Sequence, residues 1–446
     1  MTDPLEILDS VLAKARAAGA DQADAVFARR ESQSVSVRLG EQEALDRSET
    51  TDIGLRVFVG DSPASASSSD LSDSAMDLLV RSAVDMARAG PPDPYACLAP
   101  KERLFTGGEA AQPLSDDTAP SAQEDIDRAR AAEDAARAVE GVSNSQGASS
   151  GWSRSCVALG TSNGFSGLKH ASSYSISAAV LAKGDSGMER DYASSSKRFF
   201  EDLESPHAVG QKAGARAVAR KNPSSLKTGP MPVVFDKRVS ASLLGHLSGA
   251  INGSAIARGT SFLRDAMNTQ VFAKGINIID DPHRHRGLRS RLFDGEGVAT
   301  QQMGLVEDGM LTSWLLDCAT AKQLGLETTG HAARGAGGPP SPSTSNFYVE
   351  AGSISVEDML NEAGTGLYIT EMIGMGVNQV TGDYSRGASG FAIVDGALAY
   401  PVSGLTVAGN LKDMFLNLVP ADDLEFRYGT NAPTVRVDGM TVAGDA

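Results

Sequence analysis

The sequence predicts an α+β protein, with an N-terminal α/β region of strands and flanking helices followed by a C-terminal, mostly antiparallel β domain with few helices. Three observations lead there. Apolar residues recur at helical 3-4-3 spacing at Leu5, Leu8, Leu12 and Ala15, and again at Met76, Leu79, Ala83 and Met86. They alternate at strand spacing at Val35, Val37 and Leu39, and at Ile53, Leu55, Val57 and Val59. Beyond Pro230, short apolar runs are separated by Asp-Gly and Gly-Thr-Gly turn pairs. A length of 446 residues suits two to three domains of about 100 to 200 residues each. The expected division is 1–225 and 226–446, with a further subdivision at 91–121.

Each element has a local reason. Asp3 can cap a first helix that has Pro4 at its first position and Glu6 three residues after the cap. A second helix over 73–89 is stopped by Gly90-Pro91-Pro92. From Pro91 to Ser121, Pro, Gly, Asp and Ser dominate without periodicity, as in a long surface connection. An Ala- and Arg-rich helix is expected over 124–139, then strands around 156–160 and 172–182 joined through the turn signal Ser162-Asn163-Gly164. Ser205-Pro206 starts another helix, and 224–230 reads as a linker. The second half opens with a strand at 232–235 and a helix at 237–251. Its strands are expected at 304–314, 347–350, 366–371, 390–394 and 434–437.

Composition removes several function classes. Forty Lys and Arg against fifty-six Asp and Glu give a net charge of −16, which repels phosphate backbones and disfavours nucleic acid as a partner. The three cysteines, Cys97, Cys156 and Cys318, are far apart and form neither a disulfide framework nor a Cys-x-x-Cys pair. Acidic Asp3, Glu6 and Asp9 stand where a secretory signal needs basic residues, and Glu371 and Asp395 interrupt the most apolar later stretches. The expectation is a cytoplasmic chain with no membrane segment.

Local motifs are sparse. None of the six histidines is followed by Glu, so a His-Glu zinc-peptidase helix is absent. Asp280-Asp281-Pro282-His283-Arg284-His285 gathers potential metal ligands, but Asp-Asp-Pro also forms turns and Arg284, Arg286, Arg289 and Arg291 oppose a cation. Gly147-Ala148-Ser149-Ser150-Gly151 matches the nucleophile-elbow pattern in the wrong context, and Ser194-Ser195-Ser196-Lys197 matches Ser-x-x-Lys without its companion motifs. No Walker loop or complete dinucleotide fingerprint occurs.

Several longer blocks carry a resemblance. They are Ser242–Leu247 leading to Arg258-Gly259-Thr260-Ser261-Phe262, Ile278–Pro282, Phe293–Thr300, Leu305–Gly309 through Ser313–Asp317, Pro342–Phe347 and Gly382–Phe391. Together they resemble the PmbA/TldE branch of the TldD/PmbA family, also known as modulators of DNA gyrase. The resemblance spans most of the chain and is densest from Pro230 onward. In that family the TldD-like partner is a zinc peptidase with a His-Glu-x-x-x-His helix, and the PmbA/TldE-like partner lacks it. Aligned on Gly259-Thr260-Ser261, the three motif positions fall here on Leu244, Gly245 and Gly249, which cannot bind zinc or activate water.

The resemblance implies a noncatalytic subunit of a heteromeric peptidase acting on unfolded peptides. This chain would then hold no catalytic residue, metal ligand or cofactor, and zinc would reside in a TldD-like catalytic paralogue. In isolation the chain is expected to pair with itself. The strands 366–371 and the segment 382–390 are the expected lining for an extended peptide, through free strand edges and through a Gly-rich loop bearing Asp383, Ser385, Arg386 and Ser389. Two other readings stay open: a self-contained metal-dependent hydrolase with its site near Asp280–His285, and a regulatory binding protein linked to gyrase or toxin–antitoxin control.

Overall fold

The computed structural model describes residues 3–107 and 113–444; residues 108–112 of the expected 91–121 connection lie outside the described residues. The first helix, α1 (Pro4–Ala17), is capped by Asp3, whose carboxylate accepts the Leu5 N–H at 2.9 Å. It leads into the long hairpin β1 (Gln22–Arg38) and β2 (Glu41–Val59), then β3 (Ser62–Ser68) and α2 (Asp73–Ala89). After the connection come α3 (Ala122–Arg137), β4 (Val142–Thr161), β5 (Ser166–Lys183), β6 (Met188–Lys197) and α4 (Pro206–Ala219). Ser121 and Glu124 form a reciprocal capping box at the start of α3.

The six strands form one sheet in the order β3-β2-β1-β4-β5-β6, antiparallel at every pairing. All four helices lie on one face of it. At one end of β1, Ala23, Ala25 and Phe27 pack under α1 and α2; at the other end Val35 and Val37, on the same face by the period-2 alternation, pack under α3 and α4. The turn at Ser162–Gly164 joins β4 to β5, and Gly164 adopts φ +107°, which a side chain would strain. Strand β6 has no counterpart in the sequence expectations. Its inward positions, Asp191, Ala193 and Ser195, are small or polar, so no hydrophobic alternation announces it. It also contains the Ser194–Lys197 match, just as β4 contains Gly147–Gly151; neither sits at a strand-to-helix turn.

The other face of this sheet is covered by the C-terminal half. Val26 and Leu159 pack there against Phe165 and Phe293. Gly54 allows the 334–338 segment to approach, since a Cβ at that position would stand 1.9 Å from the Ala336 carbonyl oxygen.

The C-terminal half contains β7 (Gly229–Phe235), α5 (Ala241–Ala250), α6 (Gly253–Ala257), β8 (Ile278–Asp280), β9 (Met303–Glu307), β10 (Met310–Leu311), α7 (Cys318–Leu324), β11 (Ala332–Ala333), β12 (Ser341–Pro342) and β13 (Phe347–Val349). It continues with α8 (Val356–Ala363), β14 (Gly366–Ile373), β15 (Asp383–Val394), β16 (Ala397–Asn410), α9 (Leu411–Leu416), β17 (Leu418–Pro420), β18 (Thr430–Asn431) and β19 (Val435–Ala443). The major sheet runs β16-β15-β14-β7-β19-β17, and a further β16–β19 pairing closes it into a barrel. A smaller sheet, β10-β9-β8-β13-β18, stands beside it. Leu243, Leu244 and Leu247 of α5 share one apolar core with Val233, Phe235, Leu367, Ile369 and Phe347, so the helix is anchored between the two sheets. Among the described residues, no helix is long and apolar enough to cross a membrane.

Closure of the barrel corrects two expectations. Residues 383–390 are strand rather than loop; β15 is paired on both sides, by β14 and β16, and β14 is paired on both sides over Leu367–Ile369, by β7 and β15. The strand was masked by its glycines: Gly387 and Gly390 dilute the alternation, and register shifts at Ala388/Gly390 and Phe391/Ile393 interrupt it. Peptide recognition through an open edge is therefore unavailable at Leu367–Ile369 and along the 387–393 stretch of β15.

Candidate functional site

Helix α5 turns Leu243, Leu244, Leu247 and Ala250 into the core and presents Gly245, His246 and Gly249 on its other side. Gly245 is exposed, and a Cβ built there would meet nothing within 4 Å. A Cβ at Gly249 would touch the Gln379 side-chain amide, at 3.5 Å from its nitrogen. The glycines thus leave the space above the helix to its neighbours.

Those neighbours come from β15 and the turn before it. Period-2 alternation puts Tyr384, Arg386 and Ala388 on one face of β15, and Tyr384 and Ala388 belong to the core that α5 caps. The His246 ring stands edge-on to Tyr384, with centroids 5.8 Å apart and planes at 78°. The turn is fixed by its backbone: Phe262 N–H donates to the Gln379 carbonyl at 2.9 Å, and Ser385 N–H to the Gly376 carbonyl at 2.7 Å.

Polar satisfaction fails at this place. His246 Nε2, Gln379 Oε1, Tyr384 OH and Arg386 Nε are all buried without a hydrogen-bond partner, although buried polar side-chain atoms are ordinarily paired. Among the described residues, no carboxylate lies within ion-pair distance of Arg386. Burial and then the Arg386 cation push the His246 imidazole below its ordinary range, which favours the neutral ring. Burial pushes the Tyr384 hydroxyl up, while the adjacent Arg386 guanidinium draws it back without reaching hydrogen-bond geometry. The site is a cluster of hydrogen-bonding groups with one uncompensated cation and no acid.

Of the four residues singled out in the sequence, only Arg386 reaches this cluster. Asp383 and Ser385 are exposed on the opposite face of β15. Asp383 accepts from Thr381 Oγ1 at 2.6 Å and from Asn410 Nδ2 at 3.1 Å, and these two bonds hold its carboxyl below the ordinary range. Ser389 is buried in the barrel wall opposite Glu371. The sequence marks His246 only as one of six histidines with no Glu after it, and it singles out neither Gln379 nor Tyr384. Tyr384 was reachable from sequence only by reading 384, 386 and 388 as one strand face.

The residues do not fit a catalytic zinc. Leu244 is 2% exposed and locked in the core, while Gly245 and Gly249 contribute no donor, which leaves His246 as a single imidazole. The Asp280–His285 segment is also dispersed. Asp280 turns inward to His331 at 3.3 Å and to the Ser345 N–H at 2.7 Å; burial raises its carboxyl, but these partners outweigh burial and hold it low. His283 meets Thr300 Oγ1 at 3.2 Å, and His285 lines a separate cavity of about 430 Å³ with Arg284, Arg286 and Tyr428. Among the described residues, no three His, Cys, Asp or Glu side chains gather closely enough to hold a metal ion.

A second polar cluster is wholly structural. Asp24 of β1 pairs with Arg56 of β2, with Nε to carboxylate at 2.9 Å, and with Arg334 from the C-terminal half. Burial raises the Asp24 carboxyl, yet the two guanidiniums more than reverse this and hold it below the ordinary range. Nearby, Asp294 accepts the N–H groups of Glu296, Val298 and Ala332, and Glu296 accepts that of Cys318 at 2.8 Å. The Asp294-Gly295-Glu296 block is thus a buried turn. Burial, and then the charge of Asp294, push Glu296 up to about 8.

Comparison with known proteins agrees with this architecture. Family models described as PmbA/TldA metallopeptidase domain 1, central domain and C-terminal domain match residues 23–87, 115–221 and 228–444. The chain is 39% identical over 413 residues to the Metalloprotease PmbA of Escherichia coli O157:H7, covering 92% of this chain and 90% of that protein. It is 35% identical over 421 residues to the Metalloprotease PmbA homolog of Haemophilus influenzae, covering 92% and 90%. A crystal structure from Bacteroides thetaiotaomicron, described as a candidate modulator of DNA gyrase, superposes with a TM-score of 0.91 at 25% identity, covering 99% of this chain and 98% of that one. TldE from Thermococcus kodakarensis shares the fold with a TM-score of 0.89 at 19% identity, covering 98% of this chain and 100% of that one.

Proposed function

The chain belongs to the PmbA/TldD metallopeptidase family, and from that premise we propose that it is the noncatalytic, TldE-like subunit of a heteromeric zinc peptidase acting on unfolded peptides. A role within a peptidase family follows from the relatives themselves, which carry the name metalloprotease. The division of labour rests on one observation: the helix aligned with the catalytic motif buries Leu244 and presents Gly245 and Gly249, next to polar groups arranged for binding and not for activating water. In this reading zinc and its ligands belong to a TldD-like paralogue, and this chain supplies a wall of the chamber. It pairs with that paralogue, or with itself when alone, in the cytoplasm, and takes no nucleic acid or membrane. We further propose that residues 1–225 and 226–446 are its two main domains.

The test is reconstitution. The purified chain should leave unfolded peptides intact, and mixing it with a TldD-like paralogue should produce cleavage that a chelator abolishes. Cleavage by the isolated chain that persists through a column step removing contaminating peptidases would overturn the proposal.

A further inference from the structure

The unpartnered atoms above α5 have a chemistry that narrows what can occupy them. Arg386 contributes a guanidinium whose Nε–H is buried and unpaired, and Tyr384, 2% exposed, contributes a hydroxyl with no partner. His246 offers Nε2 and Gln379 a side-chain amide, with its Oε1 unpaired. Arg386, Tyr384 and, in its Nε2–H tautomer, His246 can donate to an anion at the atoms left unpaired, Gln379 can donate only through the nitrogen beside its unpaired oxygen, and the site's only formal charge is positive. Leaving such groups buried and unpaired costs free energy, and a ligand that supplies their missing partners recovers it; four such side chains meet here. The bare face of α5 at Gly245 provides the room, and the Gly249 contact with Gln379 defines its far side.

We infer that the space bounded by α5 and the Tyr384–Arg386 face of β15 binds a peptide carboxylate, with Arg386 and Tyr384 as donors and His246 and Gln379 positioning the adjoining amide. A planar guanidinium matches a carboxylate in shape as well as charge, and Tyr O–H donates well to a carboxylate oxygen. The carboxylate could come from the C-terminus of the peptide or from an Asp or Glu side chain, which present the same group. The inference rests on the reading that this chain contacts peptide, and it adds that the contact selects for negative charge. A chain of net charge −16 otherwise repels acidic peptides, so such a preference requires a specific positive pocket.

The experiment measures binding of fluorescently labelled, unstructured peptides to the full chain without any paralogue. One peptide has a free C-terminus and no Asp or Glu, the second is its C-terminal amide, and the third is the amide with one internal Glu. The first should bind at least tenfold tighter than the second if the α-carboxylate is read, and the third should recover that affinity if a side-chain carboxylate is read. Arg386→Gln should erase the preference. Tyr384→Phe, which keeps the ring in the core, should reduce it several-fold and serves if Arg386→Gln does not fold. Equal binding of all three peptides, or a preference surviving in folded Arg386→Gln, would overturn the carboxylate site while leaving peptide contact intact. Absence of binding by every peptide would overturn the inference, and the reconstituted cleavage assay would still judge the subunit proposal separately.

Discussion

Two buried polar clusters in this chain behave in opposite ways. Between the N-terminal sheet and the C-terminal half, Asp24 is clasped by Arg56 and Arg334, so both guanidiniums there share one carboxylate, and Arg334 Nε alone keeps no hydrogen-bond partner. Above α5, Arg386 has no countercharge among the described residues, and His246, Gln379 and Tyr384 each keep an unpaired atom. Both involve the C-terminal half, and both use strand residues placed by period-2 alternation. The difference is whether a second segment of the same chain arrives to complete the cluster. Arg334 reaches Asp24 where Gly54 lets its loop descend onto the sheet, whereas Gly245 and Gly249 add no side chain to the space above α5. A polar cluster completed from within holds the fold, and one left incomplete has room for an external partner.

The largest expected effect falls on the completed cluster. Asp24→Ala leaves two buried guanidiniums without their shared carboxylate and should destabilise by about 3 to 5 kcal/mol. Urea unfolding of the full chain reads this, and a loss below about 1 kcal/mol would break the comparison. Next comes the buried Glu296. Its folded-state value of about 8 lies above the ordinary 4.5, so the folded chain holds the proton more tightly than the unfolded chain does. Its contribution is therefore fully present below about pH 4.5 and is lost as pH rises through about 8. Glu296→Gln should flatten the stability profile across that window by up to one proton's slope, about 1.4 kcal/mol per pH unit. Thermal melts at pH 6 and pH 8.5 should converge in the variant, and an unchanged slope would contradict the assignment.

Smaller effects on stability are expected at the incomplete cluster. Arg386→Ala should cost within about 0.5 kcal/mol, because no buried ion pair is broken, yet it should reduce peptide cleavage by the reconstituted pair. A melting temperature lowered by many degrees would move Arg386 into the same class as Arg334. Asp383→Ala and Ser385→Ala should have the smallest effect, leaving cleavage unchanged, since both side chains point away from α5. A cleavage defect in either, with pairing intact, would place the peptide on the other face of β15.

Much of this molecule was legible before its fold. Helix α1 follows from Asp3, Pro4 and a 3-4-3 apolar stripe, α4 from Ser205-Pro206, and the β4–β5 turn from Ser162-Asn163-Gly164, because capping, φ restriction and period are properties of neighbouring residues. The family blocks carried the kinship, and the missing His-Glu pair was visible by inspection. Strand β6 and the strand character of 383–390 were hidden because their pairing, and not their own alternation, makes them strands. The site was legible only at Arg386. Whether Asp383 shares its face, whether Gln379 meets Gly249, and whether His246 finds a partner depend on barrel closure through the β16–β19 pairing and on the docking of α5 between two sheets. The contacts of Gln379 with Gly249 and of Tyr384 with His246 join residues more than a hundred positions apart, and no local pattern encodes which of them will be left unpaired.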